Sequence, residues 1–380
     1  MHVKGYAAPE SKAAEERARL LIDQAEARGE PPEDPLLLFS VLYGLWAASH
    51  VSFNGDVMHE LASKFLARAE GSGTTASLPL AHRIMGTTLL FTGDIAQARA
   101  HLDSAILLDD SAEYHAPAAR FGQDVRVSIL GYRTIALWIL GYPHAALADA
   151  DNALKRARVI GHAATLMFAL TDVLVTHIQC GRYTTANAEV DELVSLADEK
   201  SSLLWKAFGT SHHGCVLALT GKASQAVQTI TSGIVALRST GATILKPLWL
   251  WHLTRAYAEL GKFDDAWRCL DEALTVIETS KEKWWEAELH RIAGEVALKS
   301  SERDVEKAEG YFERALVISR QQQAKSLELR AAMSLARLWR DQRKLQHACD
   351  LLSPVYNWFT EGFDTLDLKD ARALLEELAS

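Results

Sequence analysis

Proline is scarce in this chain, nine in 380 residues, and no run alternates β-branched residues with polar ones. That combination excludes a β-sandwich or barrel, which needs short strands and dense turn signals. An all-α chain is what remains. No apolar run approaches the roughly 20 residues of a membrane helix; the longest candidate, 36–48, is interrupted by Tyr43 and Gly44. The start of the chain lacks the apolar core of a secretory signal. Excess basic charge is lacking too: 40 Lys and Arg against 49 Asp and Glu give a net charge of −9. This argues against a general nucleic-acid role, though a local basic face stays possible. The four cysteines, Cys180, Cys215, Cys269 and Cys349, lie far apart. They read as separate thiols in a reducing, cytoplasmic setting.

Catalytic signatures are missing as well. Thr220-Gly221-Lys222 lacks the upstream glycine of a phosphate-binding loop and falls in a hairpin turn. His212-His213-Gly214-Cys215 tempts a metal assignment, but neighbours on a helix point about 100° apart and do not converge. No Ser/His/Asp or Cys/His set assembles from local spacing. The expectation is a non-enzyme with no catalytic residue, no cofactor and no metal.

What the sequence has in quantity is helical hairpins. Around Gly261, Leu250, Leu253, Tyr257 and Leu260 form one apolar stripe, and Ala266, Leu270, Ala273 and Ile277 form another. Gly261-Lys262-Phe263 is too short to be anything but the turn between them. Asp264 and Asp265 then stand where the next helix dipole favours acid. The unit recurs. Gly141, Gly181, Gly221 and Gly261 are spaced by 40, with Gly93 and Gly55 earlier at intervals of 48 and 38. Alanine follows five residues after most of them, at Ala98, Ala146, Ala186, Ala226 and Ala266. Small residues seven before, Gly86, Thr134, Gly214 and Thr254, mark close helix contact.

These offsets resemble the tetratricopeptide repeat. Leu253, Thr254, Tyr257, Gly261, Phe263, Ala266, Leu270 and Ala273 match its pattern, although that family's period is about 34 residues. The resemblance implies a single right-handed α-solenoid over 1–380. It comprises a half-repeat at 1–29, hairpins at 36–70, 78–108, 122–160, 163–200, 203–239, 243–279, 283–321 and 325–359, and a capping helix at 367–378. Lys4-Gly5-Tyr6 resembles the turn at Leu140-Gly141-Tyr142, so the chain reads as starting mid-repeat, with Met1 an internal methionine of a longer ancestral chain or a truncated reading frame. Glu30 to Pro35 reads as a break between hairpins, and 109–121 as the longest irregular stretch. Trp284-Trp285 reads as packing between neighbouring hairpins.

A second resemblance, reaching back to Gly5-Tyr6-Ala7-Ala8-Pro9-Glu10, covers essentially the whole chain. Trp284 to Arg291, Ala308 to Ala315, Gln321 to Ser326, Leu329 to Leu338 and Trp358 to Leu368 are similar to the C-terminal repeat arm of bacterial class III adenylate or guanylate cyclases that carry a P-loop ATPase. It implies regulation of linked catalytic domains that these residues do not contain.

In tetratricopeptide proteins the first helix of each hairpin lines the concave groove. The resemblance places Trp251 and Arg255 there, then Glu288, Arg291 and Glu295, then Arg330, Arg337 and Arg340. Two readings stand. Arginine forks can dock an acidic peptide or a chain terminus. Alternatively, Glu288 and Glu295 neutralise the arginines and the face is merely solvated. Phe168, Thr171, Phe208 and Ser211 make the comparable upstream surface more apolar, which suits a partner helix or small apolar ligand. The expected function is a protein- or peptide-binding regulatory module, with neither nucleic acid nor membrane as partner. The alternatives are the cyclase–ATPase arm and, third, a small-molecule sensor like the repeat arm of maltose-type transcription activators.

Overall fold

Apolar positions at helical spacing fold this chain into α-helices. The computed structural model describes residues 9–29, 35–71, 77–111, 121–300 and 304–379. Among them are eighteen helices and no strand. Helix α1 (Pro9–Arg28) comes first. Hairpins follow: α2 (Pro35–Val51) with α3 (Gly55–Gly71), α4 (Leu78–Thr92) with α5 (Ile95–Ser111), α6 (Val125–Ile139) with α7 (Pro143–Ile160), and α8 (Ala163–Gln179) with α9 (Tyr183–Glu199). Next come α10 (Leu203–Leu219) with α11 (Ala223–Ser239), α12 (Lys246–Glu259) with α13 (Phe263–Ser280), α14 (Glu286–Lys299) with α15 (Val305–Gln321), and α16 (Lys325–Asp341) with α17 (Leu345–Asn357). Helix α18 (Leu366–Leu378) closes the array. The α5 helix extends to Ser111, into the stretch expected to be irregular. Lys4-Gly5-Tyr6 and residues 30–34, 72–76, 112–120 and 301–303 lie outside the described residues.

The two helices of a hairpin differ in kind. Outer helices bury one stripe: in α13 it is Ala266, Leu270, Ala273 and Ile277. Inner helices are buried almost all round, as Pro247 to Thr254 of α12 are without a break. Leu260, expected on the α12 stripe, is 40% exposed, because α12 ends before it.

The cause of this burial is a seam between successive turns of the superhelix. Thr243 N–H donates to the Val51 carbonyl at 2.9 Å, and Lys283 N–H to the Phe91 carbonyl at 2.9 Å. Ser326 Oγ donates to the Trp138 carbonyl, and Arg330 reaches Gln179. The first three contacts join a hairpin to the element five hairpins on and Arg330–Gln179 spans four, so four to five hairpins complete one turn and the next turn rests on it. Trp284 and Trp285 are both 0% exposed. They pack across this seam, Trp284 edge-on to Phe91 at 5.5 Å and Trp285 stacked on Trp138 at 6.1 Å, and Trp285 also meets Trp251 of the neighbouring hairpin edge-on at 5.9 Å. That extends the packing expected only between sequence neighbours. Truncating either indole to Ala is expected to cost about 3–5 kcal/mol.

Two turn glycines separate local from seam requirements. Gly261 has φ +70 with open space around it, so only its backbone conformation requires glycine. Gly141, at φ +93, also sits under the seam: a Cβ there would stand 2.6 Å from the Trp358 ring and 2.9 Å from Lys325 Cβ.

Candidate functional site

The inner helices and the seam enclose a cavity of about 380 Å³. Trp251 and Arg255 come from α12, Arg291, Glu295 and Lys299 from α14, and Arg330, Met333, Ser334 and Arg337 from α16. The previous turn supplies Ile178, Gln179, Tyr183 and Leu219, and α18 supplies Leu366, Asp367 and Asp370. Five cations face three carboxylates, an excess of positive charge in a chain of net charge −9.

These cations form two tiers. In the lower tier Arg291 grips Glu288 through both forks, at 2.7 and 2.9 Å, and also bonds Glu295. Glu288 is fully buried beneath it. Burial pulls the Arg291 pKa down, but Glu288 and Glu295 outweigh it and the net shift is upward. Burial likewise pushes Glu295 up, and Arg291, Arg255 and Lys299 bring it below its ordinary range. Arg330 donates to Asp367 at 2.9 Å, to Gln179 Oε1 at 2.8 Å and to the Gln179 carbonyl at 3.2 Å. Burial raises the Asp367 carboxyl above its usual value although Arg330 opposes this. Trp251, 2% exposed, donates its indole N–H to the Glu288 carbonyl and forms the floor.

The upper tier is different. Arg337 and Lys299 make no ion pair among the described residues. Arg255 pairs with Glu259 at 3.3 Å and its charge also reaches Glu295, but its Nε makes no hydrogen bond among the described residues. These three side chains keep donors that a ligand could use.

Several expectations are corrected here. Neutralisation by Glu288 and Glu295 holds for Arg291, and Asp367 does the same for Arg330, so these two arginines are structural. Arg340 does not line the cavity; it pairs with Glu377 at 2.8 Å and Asp341 at 3.0 Å on the outside. Phe168, Thr171, Phe208 and Ser211 are buried, at 5%, 4%, 5% and 0% exposure, and serve packing rather than a surface. His212 is buried and His213 exposed, so the pair diverges. Cys180 and Cys215 are buried, while Cys269 and Cys349 are half-buried. Lys299, four residues after Glu295 on the same helix face, was legible in the sequence. Gln179, Tyr183, Asp367 and Asp370 were not, because only the seam brings them in. No helix among the described residues is long and apolar enough to cross a membrane.

No family model matches the chain. A curated relative from Rhizobium meliloti (strain 1021), the uncharacterized protein R02095, is 24% identical over 336 residues, which is 86% of this chain and 31% of the relative. The chain therefore spans about a third of the length of that relative. Among solved structures, a Rap protein complexed with competence and sporulation factor superimposes with a TM-score of 0.64 at 14% identity, over 99% of this chain and 96% of that one. The Rap conjugation gene regulator of plasmid pLS20, complexed with the Phr* peptide, gives 0.53 at 11% identity over 98% and 91%. The apo form of the quorum sensor NprR from B. thuringiensis gives 0.50 at 12% identity over 97% and 95%. At such identities the likeness is one of fold: this chain is a tetratricopeptide-like α-solenoid.

Proposed function

We propose that this chain is a non-catalytic regulatory module that binds an acidic peptide or protein segment in its concave cavity. The observation that carries the reading is the upper tier of cations, Arg255, Lys299 and Arg337, left with free donors above a tier that is internally paired. Arginine forks recognise carboxylates in two-point geometry, and the cavity volume lies within the range of ligand pockets. The neighbouring folds, one complexed with competence and sporulation factor and one with the Phr* peptide, lend support by analogy of fold alone. The test is an array of acidic peptides probed with the wild type and with an Arg255→Ala/Arg337→Ala variant. Arg291 and Arg330 stay in place, since their loss would disturb the fold. Acidic peptides retained by the wild type and lost by the variant support the reading. Equal retention removes the cavity from it.

A second reading is that the module acts as the arm of a longer signalling protein, linked to cyclase and ATPase domains. The resemblance carried by Trp284 to Leu368 is what suggests the cyclase and ATPase domains; the relative of which this chain matches 31% is uncharacterized and bears only on length. Co-purification of a cyclase or ATPase polypeptide with this chain, and a change in its turnover on adding the chain, would support it. Unchanged turnover would remove it.

A further inference from the structure

The hairpin of α4 and α5 brings two histidines together, far from the arginine cavity in sequence. Gly86 of α4 lets the two helices close on each other: a Cβ there would stand 2.8 Å from Leu102 Cγ and 3.0 Å from the Ala98 carbonyl. One turn before Gly86 on the same helix is His82, and beside Leu102 is His101. Their Nδ1 atoms lie 3.0 Å apart, with the ring centroids 5.1 Å apart and the planes tilted by 37°. Both side chains are half-buried, so solvent reaches the pair.

Two neutral imidazoles at this distance share one proton, one Nδ1 donating and the other accepting. Burial lowers the pKa of both rings; His101 adds to the effect on His82, and Glu70 opposes it on each. The neutral imidazole is the form that ligates a metal. Glu70, exposed at the end of α3, is thus a carboxylate whose charge reaches both rings. Asp94 acts on His101 as well, but it already accepts from Gln97 N–H at 3.3 Å. No three His, Cys, Asp or Glu side chains gather as a complete ligand set among the described residues. The pair is therefore a two-nitrogen donor set, to be completed by water or by Glu70 turning inward.

We propose that His82 and His101 bind one divalent transition-metal ion between their Nδ1 atoms, clipping α4 to α5. An ion about 2.0–2.1 Å from each nitrogen subtends an angle of about 94° across the 3.0 Å gap. That is close to the right angle of tetragonal coordination and short of the about 109° of a tetrahedral site. Cu²⁺ and Ni²⁺ have the fitting geometry, and Cu²⁺ binds such donors more tightly than Ni²⁺ or Zn²⁺. On binding, the proton between the rings moves to the Nε2 of its own ring, so both imidazoles stay neutral and none is released. The site shares no residue with the arginine cavity and stands or falls apart from the peptide reading.

The test is titration of the untagged, chelator-treated full chain with Ni²⁺, Zn²⁺ and Mg²⁺ by calorimetry and thermal shift, and with Cu²⁺ by electron paramagnetic resonance. The expected result is saturable Ni²⁺ binding with a raised Tm, weaker Zn²⁺ binding and no response to Mg²⁺. The Cu²⁺ spectrum should carry hyperfine structure from two imidazole nitrogens. His82→Gln and His101→Gln should each weaken Ni²⁺ binding about tenfold or more, since one imidazole remains. His213→Gln, at an exposed histidine on α10, should bind as the wild type does. The wild-type spectrum needs no variant, so it decides the matter even if a variant does not fold. Absence of binding at millimolar concentration overturns the proposal, as does a spectrum with fewer than two imidazole nitrogens or undiminished binding by either His82→Gln or His101→Gln.

Discussion

Arg291 and Arg83 are both buried arginines on inner helices, and the chain treats them in opposite ways. Arg291 is held by Glu288 and Glu295. Arg83 has three rings, one hydroxyl and two empty nitrogens. Glu282 gives a third case, a carboxyl at 0% exposure with no cation paired to it among the described residues. It accepts from Leu245 N–H at 2.8 Å and Trp284 Nε1 at 3.2 Å, and its Oε2 has no partner. Burial raises its pKa to about 8 against those two hydrogen bonds. The contrast teaches how a buried charge is handled. A carboxyl without a partner takes up a proton. An arginine cannot release one, so it must find an anion or bear the cost. Pairing offsets the burial of Arg291; Arg83, with rings and one hydroxyl, bears more of the cost.

Breaking the paired side should have the largest effect. Glu288→Ala strands Arg291 and is expected to cost about 3–5 kcal/mol in urea unfolding. Glu282 should show its solution through pH. Below about pH 4.5 both folded and unfolded states hold its proton. Between pH 4.5 and about 8 only the folded state does, so stability falls as pH rises, by up to about 1.4 kcal/mol per unit, and levels above pH 8. Glu282→Gln keeps both acceptor contacts and should flatten that part of the profile. Gln179→Ala removes the side-chain acceptor of Arg330 across the seam, leaving the Gln179 carbonyl, and should cost about 1.5 kcal/mol. Arg83→Met should lose nothing and gain about 1 kcal/mol, the reverse of Arg291→Met. Arg337→Ala, which breaks no ion pair, should stay within about 0.5 kcal/mol of wild type in thermal melts.

The hairpin was legible because its signals are local. Gly261 and the stripe at Ala266, Leu270, Ala273 and Ile277 sit within one unit, and a 3.6-residue period reveals them. The groove arginines were legible in position but not in state. Repeat alignment placed Arg291 and Arg337 on one face, yet it could not tell that the first is consumed by Glu288 and the second is not. Asp367 and Gln179 escaped because they reach Arg330 from 37 and 151 residues away in sequence. The seam has no sequence period of its own. Trp284 and Trp285 look like ordinary inter-hairpin packing until Phe91 and Trp138 arrive from the previous turn. Phe168 is buried against Tyr132 and Trp205 of the adjacent inner helices and Phe208 packs on Trp205, which turns an expected surface into core.

The most direct measurement is a fluorescence-anisotropy titration of an acidic peptide selected on the array, with Arg337→Ala and Arg291→Met run beside the wild type and each variant also melted. The account predicts that Arg337→Ala loses about tenfold or more in affinity with its Tm unchanged, as expected when a free recognition donor is removed. Arg291→Met should lose stability first. Arg337→Ala binding as tightly as wild type would contradict the division into a paired scaffold and a spare, ligand-reading tier.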